Sequence, residues 1–298
     1  MAKAARVWWA PGPRGRPPGF TWMIWPAMLF ALAMIVFPFG YALVLSLQDF
    51  VFGHEARFVG LGNYVRLTRD PLVRDAFVLT LELWLVSLAL QLAIGTWLGL
   101  LLARSRRGRG LARTVLVSPF MLPPVVVGMM AIVILDPSFG IANWLLGQIG
   151  IAPRLFLANP ETVILTVAAL DTWQWAPFVA LIVLGGYLSL PSDVFEAAAI
   201  DGASGWRRFR HVTLPLLAPT IVTAAVLRSV DLLRFFDIIY ITTGGGPGYA
   251  STTLNILAYR RGFEFMDIGY ATAMMAALAV AVFGTTLAFA RIRRAVRW

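Results

Sequence analysis

Few side chains in this sequence can do chemistry, and several of those that can lie inside apolar stretches. Arg228, Asp231, Arg234 and Asp237 recur at three-residue spacing within Pro219–Ile241. Side chains three apart on a helix lie on adjacent faces and can pair. A charge at the centre of a hydrocarbon layer costs about 2.5–3.5 kcal/mol on insertion scales, so this segment cannot face lipid all round. It must line a cavity or a contact between helices. Two roles fit: a self-neutralising Arg–Asp ladder that holds a bundle together, or direct contact of Arg228, Asp231 or Arg234 with a polar solute. A second constellation lies in "LDTWQWAPF", Leu170 to Phe178. There Asp171 is one helical turn from Gln174 and from Trp175. A carboxylate or amide beside an aromatic face suits a sugar, whose hydroxyls need hydrogen bonds and whose ring face stacks. An interfacial tryptophan pair beside a Pro177 kink is the alternative.

Other chemistries are missing from the residue inventory. There is no cysteine, hence no disulfide, thiolate nucleophile or metal–thiolate site. His54 and His211 are isolated, so no metal site is expected. Lys3, the single lysine, lies in "MAKAARV" and cannot complete a Gly-x-x-x-x-Gly-Lys-Ser/Thr phosphate loop. No catalytic residue and no cofactor is expected on this chain, which does not read as an enzyme. Any ATP and Mg must be bound by a partner.

The elements that position these residues follow from composition. Hydrophobic residues make up 59% of the 298, and charged residues only 13%; soluble domains carry about 45–50% and about 25%. The net charge of +10 comes from basic residues between apolar stretches, as in membrane flanks, so lipid rather than nucleic acid is the expected contact. Residues 1–20, "MAKAARVWWAPGPRGRPPGF", are basic and rich in Pro and Gly and read as a flexible tail. Residues 21–298 read as one all-α membrane domain. Crossing the hydrocarbon core takes about 20 apolar residues. Six stretches qualify: Thr21–Leu47, Phe77–Ala103, Thr114–Leu135, Thr162–Leu188, Pro219–Ile241 and Ile268–Ala290. With the N-terminus on side one, that side carries sixteen Arg and Lys and the other seven. The richer side is cytoplasmic, which places both termini in the cytosol.

The third cytoplasmic loop, 190–218, reads "LPSDVFEAAAIDGASGWRRFRHVTLPLLA". Ser192 or Asp193 can cap a short helix through Ile200. Gly202 permits a tight turn, and Trp206–Arg210 suits a second short helix. Pro215 and Pro219 are expected to break the chain before the next span. The product is a helix–turn–helix lying on the cytoplasmic face: a docking element, or else an amphipathic interfacial loop.

That loop resembles the conserved-spacing motif of ABC importer permeases: Glu-Ala-Ala, three residues, Gly, nine residues, Ile, one residue, Leu-Pro. Here it is Glu196-Ala197-Ala198, Gly202, Val212 in place of Ile, then Leu214-Pro215. Three further segments resemble the maltose-type carbohydrate permeases, first-permease subtype: "FVGLGNYVRLTRDP", "FFDIIYITTGGGPGYASTTL" and "YRRGFEFMDIGYATAM". The resemblance implies a type I importer permease fold in the bacterial inner membrane. It also implies a second permease subunit, a cytosolic ATPase dimer and a periplasmic or lipid-anchored solute-binding protein as partners. It gives Glu196, Ala197, Ala198, Asp201, Gly202, Leu214 and Pro215 to ATPase coupling, with Glu196 facing a basic group of the ATPase. Gly245, Gly246, Pro247 and Tyr249 fall to the outer loop that meets the binding protein. A carbohydrate or polyol is the implied cargo; another small polar or anionic solute, or a secondary transporter, is the alternative reading.

Overall fold

The computed structural model describes residues 21–105 and 108–295; the expected basic tail 1–20 lies outside the described residues, as do Arg106, Arg107 and Arg297 of the basic flanks. In chain order the elements are α1 Thr21–Ser46, a two-stranded antiparallel ribbon of β1 Gln48–Asp49 and β2 Arg57–Phe58, α2 Gly62–Arg69 and α3 Pro71–Arg104. Then come α4 Arg109–Val117, α5 Pro124–Ile134, α6 Ile141–Gln148, α7 Val163–Leu188, α8 Ser192–Ile200 and α9 Gly205–Arg208. The series closes with α10 Leu214–Leu233, α11 Asp237–Thr242, α12 Leu254–Tyr259 and α13 Ile268–Ala295. The chain divides into two compact units near Leu45. In the first, α1 carries Pro26 and Pro38 within an unbroken helix, and Phe37 stacks on Tyr41 with ring centroids 6.2 Å apart.

Among the described residues five runs are long and apolar enough to cross a membrane: Ile24–Ser46, Pro71–Arg104, Val163–Leu188, Gly205–Thr242 and Ile268–Arg294. The third of the six expected spans, Thr114–Leu135, is broken into α4, a 3-10 turn at Pro119–Met121, and α5. Pro119 opens the 3-10 turn, and Pro123 and Pro124 cause the break that follows it. Proline has no N–H to give a helix ladder and forces the residue before it out of the helical region. Leu122 and Pro123 are accordingly extended, with ψ of 136° and 139°. Irregular backbone at membrane depth survives only where protein satisfies it or where it lines a cavity. Gln174 Nε2 supplies that satisfaction, donating to the Leu122 carbonyl at 2.7 Å.

The prolines of the fifth span behave differently. Pro215 and Pro219 do not break the chain; α9, a π-helical turn and α10 run on from Gly205 to Leu233 as one long, imperfect rod. Phe209–Thr213 forms a π-helical turn, in which Leu214 N donates to Phe209 O, and Pro215 falls in the first turn of α10. A proline there removes no N–H that the helix needs. Pro219 is carried inside α10, with the Thr223 hydroxyl on its carbonyl at 2.8 Å. The rod breaks instead at Arg234–Phe236, so Asp237 heads α11 rather than extending the charge ladder. An acid there favours the positive end of a helix dipole.

Close approach of α3 and α7 sets the centre of the second unit. A Cβ on Gly95 would lie 2.5 Å from Val179 Cβ and 2.9 Å from the Ala176 carbonyl, and one on Gly99 2.7 Å from the Ala180 carbonyl. Without water to drive association, membrane helices pack through such small-residue faces. Leu100, Val179, Val183, Leu217 and Ala224 then bury together and bring α10 against both helices. At the outer end, Leu67, Val73, Leu254, Leu257, Tyr270 and Met274 form a second cluster joining α2, α3, α12 and α13.

Candidate functional site

Where α3, α7 and α10 meet, four polar side chains converge. Arg228 of α10 is 1% exposed, and each of its three nitrogens has an acceptor. Nε donates to Gln91 Oε1 at 2.7 Å, Nη2 to Asp171 Oδ2 at 3.2 Å, and Nη1 to Asp231 Oδ2 at 3.2 Å. Gln91 Nε2 also donates to Asp171 Oδ2. Asp171, Gln91 and Gln174 are fully or almost fully buried, whereas Asp231 is 45% exposed. Asp231 accepts a second, half-exposed arginine, Arg234, at 3.4 Å. The three-residue ladder therefore forms, but its strongest member is tied across helices to Asp171, a partner that spacing within one helix does not reveal.

Aromatic rings wall this hub on one side. The Arg228 guanidinium lies 4.0 Å above the Trp175 ring, a favourable cation–π position. Trp175 meets Phe120 at 5.2 Å and Phe178 at 6.0 Å, and Phe120 stacks on Phe178 at 5.5 Å. Phe120 comes from the broken segment between α4 and α5, one residue on either side of which the backbone is non-α-helical. Two buried acceptors beside the wall have no hydrogen-bond partner: Asp171 Oδ1 and Gln174 Oε1. Since Gln174 Nε2 is bound to a carbonyl, which can only accept, the unpartnered atom is the amide oxygen. The arrangement can hold three helices together by an ion pair, and it can accept hydrogen bonds from a ligand whose face stacks on the rings.

Asp171, Gln174, Trp175, Arg228, Asp231 and Arg234 are thus all brought to one place. Gln91, Phe120, Phe178 and the Leu122 carbonyl were not anticipated. A lone amide in "LALQLAIG" is a visible signal for Gln91; the two phenylalanines resemble ordinary apolar filling until the fold assembles them.

The residues expected to couple to an ATPase lie elsewhere, around α8 and α9 and at the start of α10. In α8 neither Ser192 nor Asp193 caps the helix; the N-cap is Pro191, and Ser192 Oγ donates to Asp193 Oδ1 at 3.2 Å, so the two candidate caps engage each other. Glu196, Ala197, Asp201 and Gly202 are exposed, while Ala198 faces inward at 8% exposure. Gly202 makes the turn at φ +72°, followed by Gly205 at φ +50°. Trp206 and Ile200 project into the open from this loop. Leu214 and Pro215 lie where the π turn hands over to α10.

The glycine loop after α11 is tied down. Thr252 Oγ1 donates to the Gly245 carbonyl at 2.7 Å, Ser251 Oγ to the Gly246 carbonyl at 2.6 Å, and Thr243 Oγ shares a 2.7 Å bond with Ser251. Gly245 is buried, with room for no Cβ beside Thr252, whereas Tyr249 is exposed. Of the four residues expected to meet a binding protein, Tyr249 is the one most open to an approaching surface.

The second unit is thus a bundle of apolar helices with a buried polar hub, walled by aromatic rings, beside a broken span. The chain belongs to the family described as binding-protein-dependent transport system inner membrane component, which residues 93–298 match; it is a multi-pass importer permease of the inner membrane. It is 34% identical over 273 residues to the trehalose/maltose transport system permease protein MalF of Thermococcus litoralis, covering 91% of this chain and 92% of that one. The trehalose transport system permease protein SugA of Mycobacterium tuberculosis is also 34% identical over 273 residues, covering 91% and 85%. In fold the chain matches a chain of the bacterial alginate ABC transporter, solved in complex with its alginate pentasaccharide-bound periplasmic protein. The TM-score is 0.81 over 92% of this chain and 93% of that one, at 24% identity.

Proposed function

We propose that this permease moves a carbohydrate or polyol inward through the α3–α7–α10 junction, driven by ATP hydrolysis on a partner ATPase dimer that engages the α8–α9 loop. The observation that carries the reading is the pair of unpartnered buried acceptors, Asp171 Oδ1 and Gln174 Oε1, beside the Phe120–Trp175–Phe178 wall. Sugar hydroxyls donate to such acceptors and C–H faces stack on such rings. The trehalose and maltose named for the relatives are ligands of that chemistry. A second permease subunit completes the pathway, a periplasmic or lipid-anchored binding protein delivers the sugar near Tyr249, and ATP and Mg stay on the ATPase.

At the cytoplasmic end, exposed Ala197 and the Gly202 turn let another surface approach closely, and Ile200 and Trp206 offer apolar contact. Glu196 supplies the charge for a basic partner. Proteoliposomes carrying both permeases and the ATPase, with binding protein outside and ATP inside, test the reading. Uptake of radiolabelled trehalose or maltose is expected to need all four components and to fail in Trp175→Ala while the complex still assembles. ATP-independent uptake, or full uptake by Trp175→Ala, would contradict it.

A further inference from the structure

We propose that the groove between α3 and the α9–α10 rod holds an anionic glycerophospholipid of the cytoplasmic leaflet. The groove has a volume of about 630 Å³, with Leu92, Trp97 and Arg104 on the α3 wall and Trp206, Leu214 and Ile221 on the other. Its length matches one leaflet. The α3 wall from Leu92 to Arg104 measures about 18 Å at 1.5 Å rise per residue. Half of a hydrocarbon core of about 30 Å is about 15 Å. The asymmetry of basic residues sets Arg104 at the cytoplasmic end. The α9 limb lies at that end and α10 runs inward from it, so Trp206, Leu214 and Ile221 descend the second wall in that order.

Polarity changes along the groove as it does along a phospholipid. Arg104 is the one charged residue of the lining, and it makes no ion pair among the described residues. Trp206, on the facing wall at the same end, is 70% exposed and has the amphipathic ring that favours the headgroup level. Apart from Gly205 and the Thr96 hydroxyl, the rest of the lining is apolar. A lipid phosphodiester offers Arg104 a charge-assisted hydrogen-bonding partner, and its chains cover the wall below. Basic pockets between membrane helices on the cytoplasmic side take acidic headgroups for this reason. A zwitterionic lipid brings an ammonium beside its phosphate, which offsets the attraction to Arg104; phosphatidylglycerol brings none. A neighbouring helix fits the apolar wall as well, but it must bring an acid of its own to the level of Arg104, whereas every glycerophospholipid carries a phosphate there. The inference is independent of which solute the permease carries.

Photoreactive lipids test the assignment. The permease–ATPase complex, with the second permease present, is placed in phosphatidylcholine nanodiscs. These carry phosphatidylglycerol or phosphatidylethanolamine with a diazirine in one acyl chain, and labelled peptides are mapped by mass spectrometry. Phosphatidylglycerol is expected to label residues 92–101 and 205–214 more strongly than phosphatidylethanolamine does. Arg104 is exposed, and Arg104→Gln is expected to cut phosphatidylglycerol labelling there by roughly 5-fold, the effect of one basic residue at a lipid surface. Phosphatidylethanolamine labelling is expected to stay unchanged. Ala93→Phe fills the groove from another exposed position and is expected to remove labelling by both lipids while the ATPase still co-purifies. Equal labelling by the two lipids in the wild type, or phosphatidylglycerol labelling unaffected by Arg104→Gln, would overturn the choice of an anionic lipid. Labelling of other apolar surfaces with none at residues 92–101 would show that a protein face covers the groove, and would overturn the lipid site altogether. Neither result bears on the carbohydrate reading.

Discussion

Arg228 carries more of this protein than any other single side chain. It is among the largest fully buried side chains of the described residues, and it joins α10 to α3 through Gln91 and to α7 through Asp171. Removing one partner of a buried ion pair leaves the other charge desolvated, at about 3–5 kcal/mol. Arg228→Ala is therefore expected to lower the yield of folded, assembled permease, measured by gel filtration of the detergent-extracted complex. Exchanging the charges of Arg228 and Asp231 is expected to make matters worse rather than better. An aspartate at position 228 would face Asp171, whereas the i,i+3 pair alone would be preserved. Recovery of wild-type yield in that double variant would show that the Asp171 bond contributes nothing. At this scale the sequence is partly legible. A polar residue in an apolar stretch announces itself, which is why Asp171, Gln174, Arg228 and Asp231 could be picked out. Which of them touch is decided by helix packing, and spacing within α10 pointed to Asp231 while the buried partner came from α7. Phe120 and Phe178 carry no such announcement, because an aromatic residue in an apolar run is ordinary.

Among elements, the α8–α9 loop and the two broken spans matter most. The helix–turn–helix was readable because glycine at positive φ leaves a mark: Gly202 at +72° sits where the turn was expected. The inward face was not readable, since four small or apolar residues in "EAAAI" offer no clear periodicity over so short a helix. The structure separates two neighbouring alanines. Ala197 is open, so Ala197→Arg is expected to leave the permease folded and to block stable assembly with the ATPase. Ala198 is buried, so Ala198→Arg is expected to lower the folded yield before any partner is involved. Co-purification of the ATPase, normalised to folded permease, separates the two effects; equal behaviour of both variants would refute this division of the helix. The prolines show the same limit. Pro119 opens a 3-10 turn and Pro123 and Pro124 an extended step into α5, while Pro215 and Pro219 ride inside a helix. A π turn ahead of Pro215 absorbs the misfit, and nothing local in "FRHVTLP" reveals it.

For the whole molecule, composition and the sixteen-to-seven asymmetry of basic residues were enough to read a multi-pass membrane protein, and the coupling-loop motif was enough to read its class. The order in which charge, aromatic wall and loop are linked needed the fold. The rod from Gly205 to Leu233 begins in the α9 limb of the loop and passes Arg228 at the hub; after the break at Arg234–Phe236, α11 leads on to the glycine loop. On the proposed function, a push on the loop would travel along α9 and α10 to the hub, which is the physical content of coupling in that reading. Substrate-stimulated ATP hydrolysis by the reconstituted complex, wild type against Gly202→Asp, tests this most directly. Gly202 has open space around its missing Cβ, so the substitution acts through left-handed backbone strain of at most about 1–2 kcal/mol and through the added charge and bulk, and not through a clash. The expected result is an assembled complex in which loaded binding protein no longer stimulates hydrolysis and uptake is lost. Wild-type stimulation and wild-type uptake in Gly202→Asp would contradict the claim that this loop drives the permease.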